Sequence, residues 1–243
     1  MAEADGAGFR RRASSAKRPS LLWGLAGALM FSFCSFFAGA AENDGVLDGW
    51  FAAQTNLHTW SADLIQTRAL KVLTQSLVST GRVWVVVPDH FRWELGQPAQ
   101  SIALRQPDSL FLIYPKLKRA EKYPIDDKQP GPWRDALALL EASFPRSRAQ
   151  MESQFRVLSV TLTNAVWQVA LQPKSALARR MMSEIQVCFR TNDYSLTATE
   201  LTFGDGSTMR NDFFHAVLNP PIAARIFDAN LGPDVTVVEP LRQ

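Results

Sequence analysis

The side chains that could perform catalysis or bind a metal are few in this 243-residue sequence, and their spacing fits none of the usual arrangements. His58, His90 and His215 are far apart and lack the spacing of metal ligands. Cys34 and Cys188 form no C-x-x-C motif. The sequence has no glycine-rich phosphate loop, no G-x-S-x-G motif and no H-E-x-x-H motif. We therefore expect no catalytic residues, no metal site and no cofactor. One alternative stays open: the protein is an enzyme whose nucleophile and base are distant in sequence and are brought together only by folding.

The net charge of +3 lies entirely in the N-terminal tail. The chain has 26 basic and 23 acidic residues, of which five basic and two acidic ones lie in residues 1–40. Residues 41–243 therefore carry 21 of each and are neutral. A surface that binds nucleic acid needs an excess of Lys and Arg over the folded body, so we expect no nucleic-acid partner.

The N-terminus has the three-part pattern of a secretory signal peptide. Basic residues between Arg10 and Arg18 precede an uncharged segment from Leu21 to Ala41, and Ala38-Gly39-Ala40 supplies the small residues that a signal peptidase reads. We predict a cleaved signal peptide over residues 1–40, a mature domain over residues 41–243 and a location in the periplasm. The uncharged segment is also long enough to anchor the protein in the inner membrane if it is not cleaved, and this alternative stays open.

Short segments of alternating polarity, separated by turn residues, dominate the chain from about Asp63 and predict a mainly β (α+β) fold built on an antiparallel meander. Asp205-Gly206 is typical of a tight hairpin turn. Apolar residues at helical spacing predict a helix over residues 46–60 and another over residues 133–144, and a short helix is expected after Pro221.

Two strands are apolar on both of their faces. Residues 83–87 and 110–114 carry apolar side chains at successive positions, so both faces need a cover. One face can pack as an ordinary core while the other forms a concave apolar site closed by helices. The periodicity alone leaves equally open that both faces are packed core.

A series of short motifs gives these strands a family resemblance. In chain order the motifs lie at Asp63 to Gln66, Gly81 to Trp84, Pro88, Phe91 to Trp93, Gln97-Pro98 and Leu110 to Pro115. With these residues the sequence resembles the LolA family of periplasmic carriers of outer-membrane lipoproteins. Residues 171–187, 203–208, 213–220 and 227–238 resemble later motifs of that family, so the likeness covers most of residues 46–240. Its order and spacing, rather than any one motif, carry the resemblance.

The resemblance implies a single domain with a curved, unclosed antiparallel half-barrel whose concave apolar face is covered by helices. It implies a monomeric carrier that holds the acyl chains of a lipoprotein, or another lipid, in an apolar cavity. An inner-membrane ABC exporter would supply the cargo and an outer-membrane acceptor would receive it. Exposing an acyl chain to water costs about 0.8 kcal/mol per methylene, which explains why an aqueous crossing needs such a container.

One position departs from the family pattern. Many members have a basic residue just before the Pro of the second strand, where it tethers the lid, and this chain has Val87 there. Arg92 and Arg82 are the candidates to replace it, with Arg92 as the expected lid tether. The departure suggests a divergent member that carries another lipid or serves a dedicated pathway.

The residues expected to line the cavity come from the strands and from the predicted helix over residues 133–144. They are Trp84, Trp93, Leu95, Phe111, Ile113, Leu137, Leu140 and Phe144. A binding or sensor module of the same fold, with a protein partner and no lipid transfer, is the alternative function.

Overall fold

The computed structural model describes residues 35–125, 142–145 and 147–240, with the side chains of the first helix from Asp44 onward. Most of the predicted signal peptide lies outside the described residues. So do Leu137, Leu140 and most of the helix predicted over residues 133–144. The chain from Ala41 onward forms one compact unit.

The described chain contains three α-helices, two short 3-10 helices and twelve strands. The α-helices are α1 (Ser35–Thr55), α2 (Arg148–Gln154) and α3 (Ala176–Met181), and the 3-10 helices are Pro115–Leu117 and Ala224–Phe227. The strands are β1 (Thr59–Ala69), β2 (Leu77–Val86), β3 (His90–Leu95), β4 (Ser101–Gln106), β5 (Ser109–Tyr114), β6 (Arg119–Pro124), β7 (Phe155–Thr163), β8 (Val166–Pro173), β9 (Met182–Arg190), β10 (Leu196–Phe203), β11 (Thr208–Leu218) and β12 (Thr236–Val238).

All twelve strands form one sheet in the order β12-β6-β5-β4-β3-β2-β1-β11-β10-β9-β8-β7. Neighbouring strands are antiparallel except β12, which runs parallel to β6. β12 and β7 lie at opposite ends of this order, so the curved sheet is not closed into a barrel. The predicted mainly β fold with an unclosed antiparallel sheet is confirmed.

Residues with positive φ and side-chain hydrogen bonds form the hairpin turns at which the chain reverses direction between strands. Gly206 has φ +85°, which only glycine adopts without strain, and the Asp205 carboxylate accepts hydrogen bonds from the backbone N–H and the hydroxyl of Ser207. This confirms the hairpin predicted at Asp205-Gly206. Asn164 and Ala165 both have positive φ between the paired residues Thr163 and Val166, as a two-residue hairpin turn requires.

The strand register assigns each side chain to one of two faces, because directly opposed residues share a face. One row runs across β2, β3, β4 and β5 through Val83, Trp93, Ala103 and Leu112, and the face that bears it is termed the inner face. The alternate row runs through Trp84, Arg92, Leu104 and Phe111 and defines the outer face.

Helix α1 covers part of the inner face. Trp50 is fully buried and stacks on Phe189 of β9 with the ring centroids 4.9 Å apart. Arg148 of α2 binds two carboxylates of α1, Asp44 at 2.5 Å and Asp48 at 3.4 Å, which links α2 to α1. These ion pairs are half-exposed and add little stability by themselves, so the aromatic contact carries most of the packing.

The C-terminal segment, residues 220–238, covers part of the outer face. Phe227 is buried in a cluster with Leu104, Phe111 and Ile113, and Val235 packs against the same cluster. On the other half of the sheet the outer face is charged, since Arg210 pairs with Glu200 at 3.1 Å and with Asp212 at 2.8 Å. The sheet therefore has two apolar faces only in the β2–β6 half.

Two sequence expectations about helices are only partly correct. The helix predicted over residues 46–60 ends at Thr55, and Trp60 lies in β1, where Val85 is opposite. The helix expected after Pro221 is only the 3-10 turn at residues 224–227. There the carbonyls of Ile226, Phe227 and Asp228 accept hydrogen bonds from side chains of the sheet instead of from a continuing helix. Among the helices of the described residues, none combines the length and apolarity that crossing a membrane requires.

The close approach of α1 to Tyr194 gives a test of the inner packing. A Cβ added at Gly49 would overlap the Tyr194 hydroxyl oxygen. We expect Gly49→Ala to lower the free energy of unfolding by about 1–3 kcal/mol, because the ring must shift. In a Tyr194→Ala background the same change should be neutral or stabilising by up to about 1 kcal/mol, since Ala favours helix over Gly.

Urea denaturation of the four members of this double-mutant cycle measures the coupling between the two residues. Equal effects of Gly49→Ala in both backgrounds would contradict the predicted contact.

Candidate functional site

A cavity of about 840 Å³ lies on the inner face, between β1, β3, β4, β5, β10, β11 and the end of α3. Its volume is within the range of about 300–1,000 Å³ that is typical of ligand sites. Most of its lining is apolar, and the large contributors are Phe91, Trp93, Leu95, Leu112, Leu201 and Met209. The cavity is therefore suited to an apolar ligand.

Strand register brings these side chains together from distant parts of the sequence. Trp93 lies opposite Ala103, and Ala103 lies opposite Leu112, so one row lines the cavity from β3 to β5. Met209 lies opposite both Arg68 and Leu201, which brings in β1 and β10 from the other half of the sheet. Alternation along β3 then places Phe91 and Leu95 on the same face as Trp93.

Aromatic contacts connect the cavity to the covered part of the inner face. Trp93 meets Phe213 edge-on at 5.9 Å, Phe213 meets Trp60 edge-on at 5.1 Å, and Trp60 meets Phe144 at 5.2 Å. Such pairs contribute roughly 0.5–1.5 kcal/mol each beyond the area that they bury. Phe144, the described part of the predicted covering helix, therefore packs on the inner face.

A short row of polar side chains interrupts the apolar lining. Gln66, Asn211 and Thr199 lie opposite one another on β1, β11 and β10 and are all buried. Gln66 Nε2 donates to Asn211 Oδ1 at 2.9 Å, and Asn211 Nδ2 donates to Thr199 Oγ1 at 3.1 Å. Because these bonds run within the row, burial of the amides is largely compensated.

The register separates the predicted cavity residues onto two faces. Trp93 and Leu95 line the cavity on the inner face. Trp84, Phe111 and Ile113 lie on the outer face, where the C-terminal segment covers them. Leu137 and Leu140 lie outside the described residues, and Phe144 contacts Trp60.

The expected tether Arg92 also lies on the outer face. Its Nη1 donates to the backbone carbonyls of Ile226 at 3.1 Å and Asp228 at 3.4 Å, and its Nε donates to Glu94 at 2.5 Å. Arg92 therefore holds a covering segment by its backbone, but the segment is the C-terminal one. Arg82 is half-exposed and pairs with Asp63 at 3.6 Å.

One basic residue on the inner face was missed from the sequence. Arg105 of β4 lies opposite Phe91 and Leu110, and its Nη1 donates to the carbonyl of Pro88 at 3.3 Å. Its Nε is buried without a hydrogen-bond partner among the described residues. The sequence offered one signal for its position, because polarity alternates along β4: Ala103 and Arg105 share one face, and Ile102 and Leu104 share the other. This alternation does not say which face is the inner one.

The titratable groups of the described residues give no metal site and include one buried thiol. Within these residues no three His, Cys, Asp or Glu side chains are placed to share a metal ion. Cys188 is buried, and desolvation raises the pKa of its thiol to about 11. Burial also raises the pKa of Tyr123 to about 12, with a contribution from its hydrogen bond to Glu121.

An unclosed curved sheet with a mostly apolar cavity on its inner face defines a fold of the half-barrel class. The model of the family described as outer membrane lipoprotein carrier protein LolA matches residues 55–230. The chain therefore belongs to the LolA family, as a divergent member. That family is described as a carrier rather than as an enzyme. No curated protein sequence matches the chain.

Solved structures similar to this fold are distant in sequence. One is an uncharacterised conserved protein from Thermus thermophilus, with 10% identity, 82% of this chain and 99% of that chain covered, and a TM-score of 0.47. A LolA superfamily protein from Nitrosomonas europaea has 8% identity, coverage of 76% and 96%, and a TM-score of 0.41. A putative outer membrane lipoprotein-sorting protein domain from Vibrio parahaemolyticus has 13% identity, coverage of 80% and 97%, and a TM-score of 0.41.

The hydrogen bonds of Arg92 predict that it stabilises the C-terminal segment locally. We expect Arg92→Gln to increase amide hydrogen exchange in residues 224–231 by roughly tenfold or more, because charge-assisted hydrogen bonds contribute about 1.5–3 kcal/mol. Exchange at β9 and β10 should not change. Arg82→Gln on the neighbouring strand is the matched control, and an equal effect of both variants would contradict the assigned role.

The raised pKa of Cys188 predicts an unreactive thiol. At neutral pH a pKa of about 11 instead of 9.0 leaves roughly one hundredth of the usual thiolate, which is the reactive form. We expect no labelling by iodoacetamide at pH 7.5 in the native protein and full labelling in urea, measured by intact mass. Labelling should rise between pH 9 and 11 as the thiol ionises. Rapid native labelling at pH 7.5 would show that the thiol is accessible.

Proposed function

We propose that this protein is a periplasmic carrier that shields the acyl chains of a lipoprotein, or of another lipid, in the inner-face cavity. The observation that carries the proposal is the 840 Å³ cavity with its lining of Phe91, Trp93, Leu95 and Leu112. Each methylene that enters such a lining is stabilised by about 0.8 kcal/mol relative to water. Transfer of such a cargo needs no bond chemistry.

The inner cavity suits acyl chains better than a second cavity of similar volume on the outer face. That second cavity, of about 800 Å³, lies between the outer face and the C-terminal segment. Gln106, Asp108, Lys122 and Asp228 are among its lining residues. Placing an acyl chain there would desolvate charged groups without pairing them, which is costly.

Family membership supports the rest of the pathway. The family model is described as an outer membrane lipoprotein carrier. By the family resemblance, the carrier would take its cargo from an inner-membrane ABC exporter and release it to an outer-membrane acceptor. We propose that the protein works as a monomer in the periplasm after removal of residues 1–40. The cavity residues in this proposal are Trp93 and Leu95 from the sequence prediction, together with Phe91, Leu112, Leu201 and Met209.

A binding module with a protein partner is the second candidate function. β7 lies at an open edge of the sheet, and Leu158 and Leu162 on it are about half exposed. An exposed strand edge of this kind can pair with an extended segment of another protein. In that case the cavity would contain no lipid.

Native mass spectrometry of the protein, purified without detergent from the periplasmic fraction of a Gram-negative host, tests the proposal. We expect a chain beginning at Ala41 with a bound lipid or acylated protein. Leu112→Glu should remove the bound mass and weaken binding of a fluorescent fatty acid by tenfold or more, since a carboxylate in the cavity costs about 1.4 kcal/mol or more to desolvate.

Leu158→Glu is the control, because the same substitution then lies on an exposed strand outside the cavity. Thermal unfolding of both variants separates loss of binding from loss of fold. If the wild-type protein carries no bound mass and does not bind the fatty acid, the carrier function is rejected and the binding module is favoured.

A further inference from the structure

Three segments meet at one end of the cavity. Arg68 and Leu70 at the end of β1, Arg180 and Met181 at the end of α3, and the β10–β11 hairpin all contribute to its lining. Backbone contacts join them: Lys71 N–H donates to Ser207 Oγ at 3.2 Å, and Gly204 N–H donates to the Met181 carbonyl at 2.9 Å. Since Arg68, Arg180 and Met181 are exposed, the cavity opens to solvent at this end.

Large apolar side chains protrude around this opening. Val72 is 88% exposed and Leu73 is 45% exposed in the β1–β2 connection, while Leu177 is 59% exposed and Met181 is 41% exposed on α3. Single exposed apolar residues are ordinary on a protein surface, but a group of them at the opening of an apolar cavity is typical of an interaction surface. These four residues, with Arg68, Lys71 and Arg180, are termed the rim.

The rim carries an excess of positive charge. Its three cations, Arg68, Lys71 and Arg180, are all exposed, and within the described part of the chain none of their side chains forms a salt bridge or a hydrogen bond. The single hydrogen bond of Lys71 to a side chain comes from its backbone N–H. The guanidinium groups of Arg68 and Arg180 are therefore available to an external anion, whereas the Lys71 ammonium also attracts the Asp205 carboxylate.

One acidic residue offsets part of this charge. Among the described residues that line this end of the cavity, only Asp205 is acidic. The hydrogen bonds from Ser207 lower the pKa of its carboxyl group, so it is ionised at neutral pH. Three cations against one anion give the opening a net positive charge, whereas residues 41–243 as a whole are neutral.

Protruding apolar side chains next to cations fit an anionic lipid bilayer. Apolar side chains enter the boundary between headgroups and acyl chains, and Lys and Arg remain at the level of the phosphates. We propose that the rim docks the protein onto an anionic phospholipid surface, with the opening of the cavity facing the bilayer. Docking is an activity beyond the proposed function. It rests on that function only for the identity of the cargo, an acylated lipoprotein or another lipid, that passes through the opening.

This orientation has a physical consequence for the cargo. A chain that passes directly between the bilayer and the cavity avoids full exposure to water. The apolar lining begins at the rim itself, because Leu70 and Met181 belong to the cavity and lie beside the protruding residues. A bilayer in contact with Val72 and Leu177 would therefore bring its acyl region close to that lining.

Vesicle flotation tests the docking with protein recovered from the soluble fraction. The vesicles consist of phosphatidylcholine alone, or of phosphatidylcholine with about 30% phosphatidylglycerol to supply the anionic surface. We expect the wild-type protein to float with the anionic vesicles at low salt and to bind the neutral vesicles at least tenfold more weakly. Raising the ionic strength to about 1 M should reduce the binding, because it screens the cations.

Two variants examine the two parts of the rim. Val72→Asp/Leu73→Asp should abolish flotation, since it removes the protruding apolar side chains and adds negative charge. Arg68→Gln/Arg180→Gln should weaken binding roughly 25-fold, or about fivefold for each cation. Leu158→Asp/Leu162→Asp, which alters two half-exposed apolar residues on β7, is the matched control and should float like the wild-type protein.

The outcomes separate docking from cargo binding. Wild-type protein that ignores anionic vesicles, or a Val72→Asp/Leu73→Asp variant that floats normally, would overturn the docking proposal. Fluorescent fatty acid in vesicle-free solution provides the second measurement, because Val72 and Leu73 do not line the cavity. Uptake of the fatty acid without vesicle binding would reject docking and leave the carrier function intact. Vesicle binding without uptake would support docking and reject the carrier function.

Discussion

The β2–β6 half of the sheet has apolar side chains on both faces. Both faces must be covered, and the elements around the sheet provide that cover. On the outer face the C-terminal segment buries Phe227 against Leu104 and Phe111. On the inner face Trp93 packs edge-on against Phe213 of β11, while the cavity occupies another part. A sheet with one polar face would need only a single layer of cover. The C-terminal segment therefore completes the core on one side and leaves the other side available for a ligand.

Local sequence patterns were sufficient for the strands and several turns, because these depend on neighbouring residues. Alternation predicted a mainly β fold, and Asp205-Gly206 predicted a hairpin that the positive φ of Gly206 confirms. The end of α1 was harder to place, since Trp60 continues the helical spacing although it belongs to β1. Its partners Val85 and Leu218 are distant in sequence, and these contacts outweigh the local pattern.

The composition of the cavity could be predicted only in part. Trp93 and Leu95 must share a face, as must Phe111 and Ile113, because alternate residues of a strand point the same way. Whether the two pairs share a face with each other depends on the register across two intervening turns. Leu95 pairs with Ser101 and Gln106 with Ser109, and a shift of one residue in either turn would exchange the faces. Because both faces are apolar, the sequence does not indicate that register. For the same reason the position of Arg105 on the inner face could not be predicted.

The row formed by Gln66, Asn211 and Thr199 has a consequence for specificity. Amide side chains in an apolar binding site usually need a hydrogen-bonding group of the ligand, since leaving a buried polar group unpaired costs free energy. Here Gln66 donates to Asn211 and Asn211 donates to Thr199, so these donors are occupied before any ligand arrives. A plain hydrocarbon can therefore lie across the row without leaving those two donors unsatisfied. The row therefore adds no requirement for a hydrogen-bonding group of the ligand at those two donors.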